Sequence, residues 1–233
     1  MATLAARTPV AVISARDLAN LAVQCPIPGV LLLGSYGLEP WMRLSREEPL
    51  PPPTPPSERL VRLAQSLEEL TDWLPGVQVE TKTMGVAVHY RNSPEPRRAA
   101  QLVRRMVEQV ARADGLDVVR GKLVVEVRPP KSGNKGTALA AILDRLSPRG
   151  CVFAGDDLGD LPAMEELHRR RPDLELACAI GILSPESSPL VAETADRCLD
   201  GPAAWAAVLE DLAASLAKEA PRRPRTATAR AGR

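Results

Sequence analysis

Residues 49–56 hold six prolines in eight positions. Proline fixes φ at about −65° and has no amide hydrogen, so this stretch continues neither a helix nor a central strand and reads as a stiff spacer. It marks a boundary inside the chain. Before it, apolar runs at 10–13 and 30–33 flank an amphipathic stretch at 15–21, the strand–helix–strand rhythm of a parallel sheet. That rhythm returns only after Pro129 and Pro130, with a helix expected from Lys135, a strand at 151–154, a helix near 161–169, a strand at 174–180 and a last helix at 203–216.

The intervening chain has a different pattern. Ser57 suits a helix cap, followed by Leu60, Leu63, Ala64, Leu67, Leu70 and Leu74 at three- and four-residue spacing, which predicts one buried helix face. Strands are expected at 77–81 and 86–90, a second amphipathic helix at 97–113, and two more strands at 116–119 and 123–127. A ββαββ sheet with its helices on one face results. The expected organisation is a parallel-sheet α/β core in two parts, 1–54 and 129–217, an inserted α+β cap at 55–128, and a basic disordered tail at 218–233.

Charge supports that division. The net charge is +1, yet six of the 30 Lys/Arg and only one of the 29 acids lie in 218–233, leaving the remainder at −4. A mildly acidic body argues against nucleic acid as the main partner. The four cysteines show no C-x-x-C pairing, which suggests neither a zinc site nor a disulfide framework and fits a reducing cytoplasm. No apolar run approaches the ~20 residues of a membrane helix.

Three weak chemical signals stand in order along the chain. Ser14 ends the first strand, where its hydroxyl and nearby amides suit an anion; Ser is also an ordinary helix cap. Lys135, in Gly133-Asn134-Lys135-Gly136, stands at a helix start, where a cation either holds phosphate or is simply a surface residue. Gly155-Asp156-Asp157-Leu158-Gly159-Asp160 follows the 151–154 strand and puts three carboxylates on one strand-to-helix turn. Ligands of parallel sheets bind beyond the carboxyl ends of strands, and hard oxygen donors there suit Mg²⁺. The same residue types also populate plain turns.

Their order resembles motifs two, three and four of the haloacid dehalogenase-like phosphohydrolases, with a C2-type cap inserted between motifs two and three. Further stretches are similar to the trehalose-6-phosphate phosphatase family: Val10-Ala-Val-Ile-Ser-Ala-Arg16, Gly34-Ser-Tyr-Gly-Leu-Glu39, Val88-His-Tyr-Arg91, Val125-Glu-Val-Arg-Pro129 and Asn134-Lys-Gly-Thr-Ala-Leu139. The resemblance implies a Rossmann-like core, Mg²⁺ as cofactor and a sugar phosphate as substrate, with a functional link to a trehalose-phosphate synthase. It assigns phosphate positioning to Ser14 and Lys135, substrate contacts to Arg16, Glu80, Lys82 and Glu126, and metal binding to Asp156, Asp157 and Asp160. A related phosphatase of another sugar phosphate, such as a glucosyl or mannosyl glycerate phosphate, or a non-catalytic sugar-phosphate sensor, fits the same motifs.

Two departures are mild: Ser14-Ala15-Arg16 replaces the family's Ser-Gly-Arg, and Tyr36 stands where a His is common. The larger one is motif one. Its D-x-D, which supplies the nucleophile and the general acid–base in the family, occurs nowhere in the 233 residues. The expectation is that the segment carrying it, with the first core strand, belongs upstream of Met1, and that the chain as written turns over negligibly and folds marginally.

Overall fold

The computed structural model describes residues 1–39, 41–45, 55–121, 123–130 and 132–218. Most of the 49–56 proline segment and nearly all of the basic tail lie outside the described residues.

The first core part runs α1 (Ala2–Ala5), β1 (Ala11–Ile13), α2 (Leu18–Gln24), β2 (Leu31–Leu33) and β3 (Met42–Arg43). β1 pairs parallel with β2, Ala11 opposite Leu31, and β3 adds antiparallel on the other side. Helix α2 starts at Leu18 rather than at 15, because the Asp17 side chain accepts from Asn20 N and caps it there. β2 is buried throughout. Val30 and Leu32 pack on α2, whereas Leu31 and Leu33 pack on the opposite side with Ala138 and Ile142 of a later helix, so alternation alone puts β2 between two helical layers.

The insertion comprises α3 (Glu58–Thr71), β4 (Gln78–Lys82), β5 (Gly85–His89), α4 (Pro96–Asp114), β6 (Asp117–Gly121) and β7 (Val124–Arg128). Its four strands form one antiparallel sheet in the order β4-β5-β7-β6. Ser57 caps α3 through Leu60 N, as its sequence position suggests. Val86, Val88, Val125 and Val127 from one sheet face close a core with Leu60, Leu63 and Leu67 of α3 and Val103 and Val107 of α4. The expected Leu70 is not part of it: Leu70 is 41% exposed, and Thr71, four residues after Leu67, takes the inward position and donates to Leu67 O.

The second core part runs α5 (Lys135–Leu146), β8 (Gly150–Gly155), α6 (Leu161–Arg170), β9 (Leu176–Leu183), α7 (Pro189–Thr194), β10 (Arg197–Asp200) and α8 (Gly201–Lys218). β8, β9 and β10 form a parallel sheet with β9 in the middle. β1 and β8 are both edge strands among the described residues, carrying Ser14 and Asp156 just past their carboxyl ends. Helix α5 serves both sheets, since Ile13 of β1 packs into the clusters built on each side of it.

Candidate active site

Four loops build the site. After β1, Ser14 N donates to Leu33 O, and the Ser14 hydroxyl accepts from Arg16 N at 3.1 Å. The loop after β2 is clipped onto this one: Tyr36 N donates to Ser14 O at 2.8 Å, and Ser35 N to Arg16 O at 2.7 Å. Buried Glu39 fixes both, its Oε1 accepting from Ser35 Oγ at 2.6 Å and from Leu18 N at the start of α2. Arg16 itself is exposed.

Lys135 is the first residue of α5, behind an Asn134–Thr137 capping box. A cation is disfavoured at a helix amino terminus, and the compensating charge comes from Asp160, whose Oδ1 lies 2.6 Å from Lys135 Nζ. Both side chains are well sheltered, 19% and 4% exposed. Two glycines permit the approach: a Cβ on Gly136 would sit 2.4 Å from Pro162 O, and one on Gly155 would sit 2.3 Å from the Asp160 carboxyl carbon. Asp160 Oδ2 accepts from the amides of Asp156 and Asp157, each at 3.1 Å.

The three acids of this turn therefore have different work. Asp160 has both oxygens engaged and folds the turn. Asp157 Oδ1 accepts from Leu158 N. Asp156 is exposed, and its carboxylate accepts no hydrogen bond from a described residue. Among the described residues no three His, Cys, Asp or Glu side chains converge as a metal cage. Magnesium needs none, as it usually takes one or two carboxylates and keeps several waters. Asp156 and Asp157 fit that donor set, and Asp160 fits the part of an orienting group.

The cap meets these loops with its other sheet face. Glu80, Ala87 and Glu126 stand in one cross-strand row, and Lys82 and Arg128 project from the same face two residues further along their strands. Lys82 Nζ lies 3.2 Å from Glu126 Oε1, while Glu126 Oε2 accepts from the Tyr36 hydroxyl at 2.9 Å. Arg128 stacks over the Tyr36 ring, 4.4 Å from its centroid. Burial, then the neighbouring Glu126 carboxylate, push the Tyr36 phenol far above its ordinary pKa. The charge of Asp157 pushes it weakly the same way. A crevice of about 10 Å³ remains between Ala15, Tyr36 and Leu38 of the core and Lys82, Glu126 and Arg128 of the cap.

Sequence-based candidates thus separate. Lys135 with Asp160, and Lys82 with Glu126, are in direct contact, and Tyr36 links the second pair to the Ser14 loop. Glu80 shares the cap face but is held by His89, its Oε2 lying 2.7 Å from Nε2. Tyr36 and Arg128 were not singled out as site residues by residue type; Tyr36 is visible only as a departure from the family's His.

A two-part α/β core, a cap inserted between its Ser and Lys motifs, and an acid-rich turn beyond a parallel strand are the architecture of haloacid dehalogenase-like phosphohydrolases, which generally require a divalent metal. The trehalose-phosphatase family profile matches residues 1–198, and the chain belongs to that family. It is 31% identical over 234 residues to the trehalose-phosphate phosphatase of Mycobacterium tuberculosis strain H37Rv, covering 94% of this chain and 55% of that one. It is 34% identical over 170 residues to the Mycobacterium marinum enzyme of the same name, covering 70% and 42%. The chain spans about half the length of these curated relatives. Among solved structures, the C-terminal domain of the C. albicans trehalose-6-phosphate phosphatase superposes with a TM-score of 0.69 at 20% identity, over 91% of this chain and 81% of that one. A trehalose-6-phosphate phosphatase related protein gives 0.67 at 18%, over 94% and 86%. These two show the fold.

Proposed function

We propose that this chain is the phosphate-positioning and sugar-reading part of a trehalose-6-phosphate phosphatase. The observation that carries this is the seating of a charged cap pair, Lys82 on Glu126, on the core loop that bears Ser14, with Tyr36 as the link, while a second charged pair, Lys135 on Asp160, joins the core's helix start to its acidic turn. The family membership and the relatives' names supply the substrate.

In this reading Ser14 Oγ and Lys135 Nζ hold the phosphoryl oxygens, and Asp160 keeps the ammonium aimed. Asp156 and Asp157 would hold Mg²⁺, which neutralises phosphoryl charge when bound. Lys82 and Glu126 contact the sugar that leaves, with Glu80 and Arg16 further out. Remote binding energy of this kind helps close a cap over the reacting bond.

Hydrolysis through an aspartyl-phosphate needs a nucleophilic Asp and a second Asp to activate water. No D-x-D occurs in these 233 residues, so the chain assayed alone is expected to bind trehalose 6-phosphate and release almost no phosphate. The lack of a D-x-D among these residues also suits a regulatory partner of a trehalose-phosphate synthase, the second reading. Calorimetry with trehalose 6-phosphate and other sugar phosphates, run beside a phosphate-release assay with Mg²⁺, tests both. Indifference to trehalose 6-phosphate, with tighter binding of another sugar phosphate, rejects the substrate assigned here.

A further inference from the structure

Arg128 is only 6% exposed, and its Nε and Nη1 have no hydrogen-bond partner among the described residues. A buried guanidinium with two idle donors is costly, because its lost hydration is not replaced. The arrangement around it is nonetheless built. Gly85, across the sheet, leaves space beside the Arg128 side chain, where a Cβ would come within 3.3 Å of the Arg128 Cβ. Tyr36 supports the guanidinium plane from below while holding φ at 59°, a left-handed conformation that strains a bulky residue. Both oxygens of the neighbouring Glu126 are already bound, one to Lys82 and one to Tyr36. Among the described residues, the buried side-chain atoms left without a partner at this boundary are the two Arg128 nitrogens, both donors.

We infer that Arg128, braced on Tyr36, is a specificity-determining residue of this site, donating from Nε and Nη1 to oxygens of the sugar rather than of the phosphoryl group. This rests on the sugar-phosphate reading given above. The sugar is chosen because Arg128 lies on the cap strand beside Glu126, whereas Ser14 and Lys135 lie on core loops. A guanidinium forks to two acceptors at once and stays protonated, so it reads a pair of ring or hydroxyl oxygens that a lone ammonium does not.

The test is calorimetry on the full 233-residue chain, comparing trehalose 6-phosphate with inorganic phosphate for wild type, Arg128→Met and Arg128→Lys. The expected result is a loss of about 10- to 100-fold in trehalose 6-phosphate affinity for Arg128→Met, no change for inorganic phosphate, and at most partial recovery in Arg128→Lys. Thermal melting should find Arg128→Met at least as stable as wild type, which separates ligand reading from a structural part. Unchanged trehalose 6-phosphate affinity in both variants overturns the assignment, as does an equal loss for inorganic phosphate, which would put Arg128 in the phosphate cradle. If Arg128→Met does not fold, the same comparison on Arg128→Lys decides. A wild-type chain that binds inorganic phosphate but no sugar phosphate removes the parent reading and this one with it, a result distinct from variants that match a binding-competent wild type.

Discussion

Lys135 Nζ and Asp160 Oδ1, 25 residues apart in sequence, lie 2.6 Å apart and join the start of α5 to the turn beyond β8. Asp160 also receives the amides of Asp156 and Asp157, so one carboxylate holds three donors.

Asp160→Ala should strand a sheltered ammonium and free two amides at once. Breaking one side of a buried ion pair costs about 3–5 kcal/mol, and urea denaturation should show a loss of that order. Asp160→Asn, which keeps an acceptor for the amides, should lose less. Inorganic phosphate binding should fall in both.

Gly155→Ala and Gly136→Ala insert a methyl group where 2.3–2.4 Å is available. Overpacking of this kind costs about 1–3 kcal/mol. The two should differ in ligand binding: Gly155→Ala displaces the Asp160 carboxylate itself and should weaken phosphate binding, whereas Gly136→Ala meets the Pro162 carbonyl and should act chiefly on the melting temperature.

Asp196 supplies a pH dependence. Its carboxyl is held down at about 2, first by the Ala179 amide it accepts from, then by Arg171 and His168. A folded-state pKa below the unfolded value gives stability that is full above about pH 4 and lost as pH falls toward 2. Asp196→Asn should therefore melt lower than wild type at pH 7, and the difference should shrink as pH falls through 4 and vanish only below about pH 2.

The cysteines should label in a set order. Cys198 is exposed, while burial raises the Cys151 thiol to about 11. Because the thiolate is the reactive form, maleimide at pH 7.5 should modify Cys198 quickly and Cys151 slowly; equal rates would contradict the described burial.

Much of this architecture is legible in the sequence because periodicity is local. Alternation at Val86 and Val88, and again at Val125 and Val127, marks the cap strands; Leu60, Leu63, Ala64 and Leu67 mark α3. β10, Arg-Cys-Leu-Asp, has no apolar run to announce it, and its place is set by pairing with β9. β3 has two residues and exists only against β2. The site divides in the same way. Ser14, Lys135 and the acidic turn follow strands or start helices, so position suggests their chemistry. Tyr36 and Arg128 are 92 residues apart, and their stacking arises from the cap settling on the core, which no local pattern encodes.

The crevice beneath that stack has room for about one water molecule. The sugar phosphate proposed above is far larger than this, so its binding here requires cap and core to part, and its arrival should be gated. The observed binding rate should level off at high ligand concentration, at the rate of opening. Tyr36→Phe, which unfastens the clasp on Glu126, should hasten both arrival and departure in stopped-flow traces.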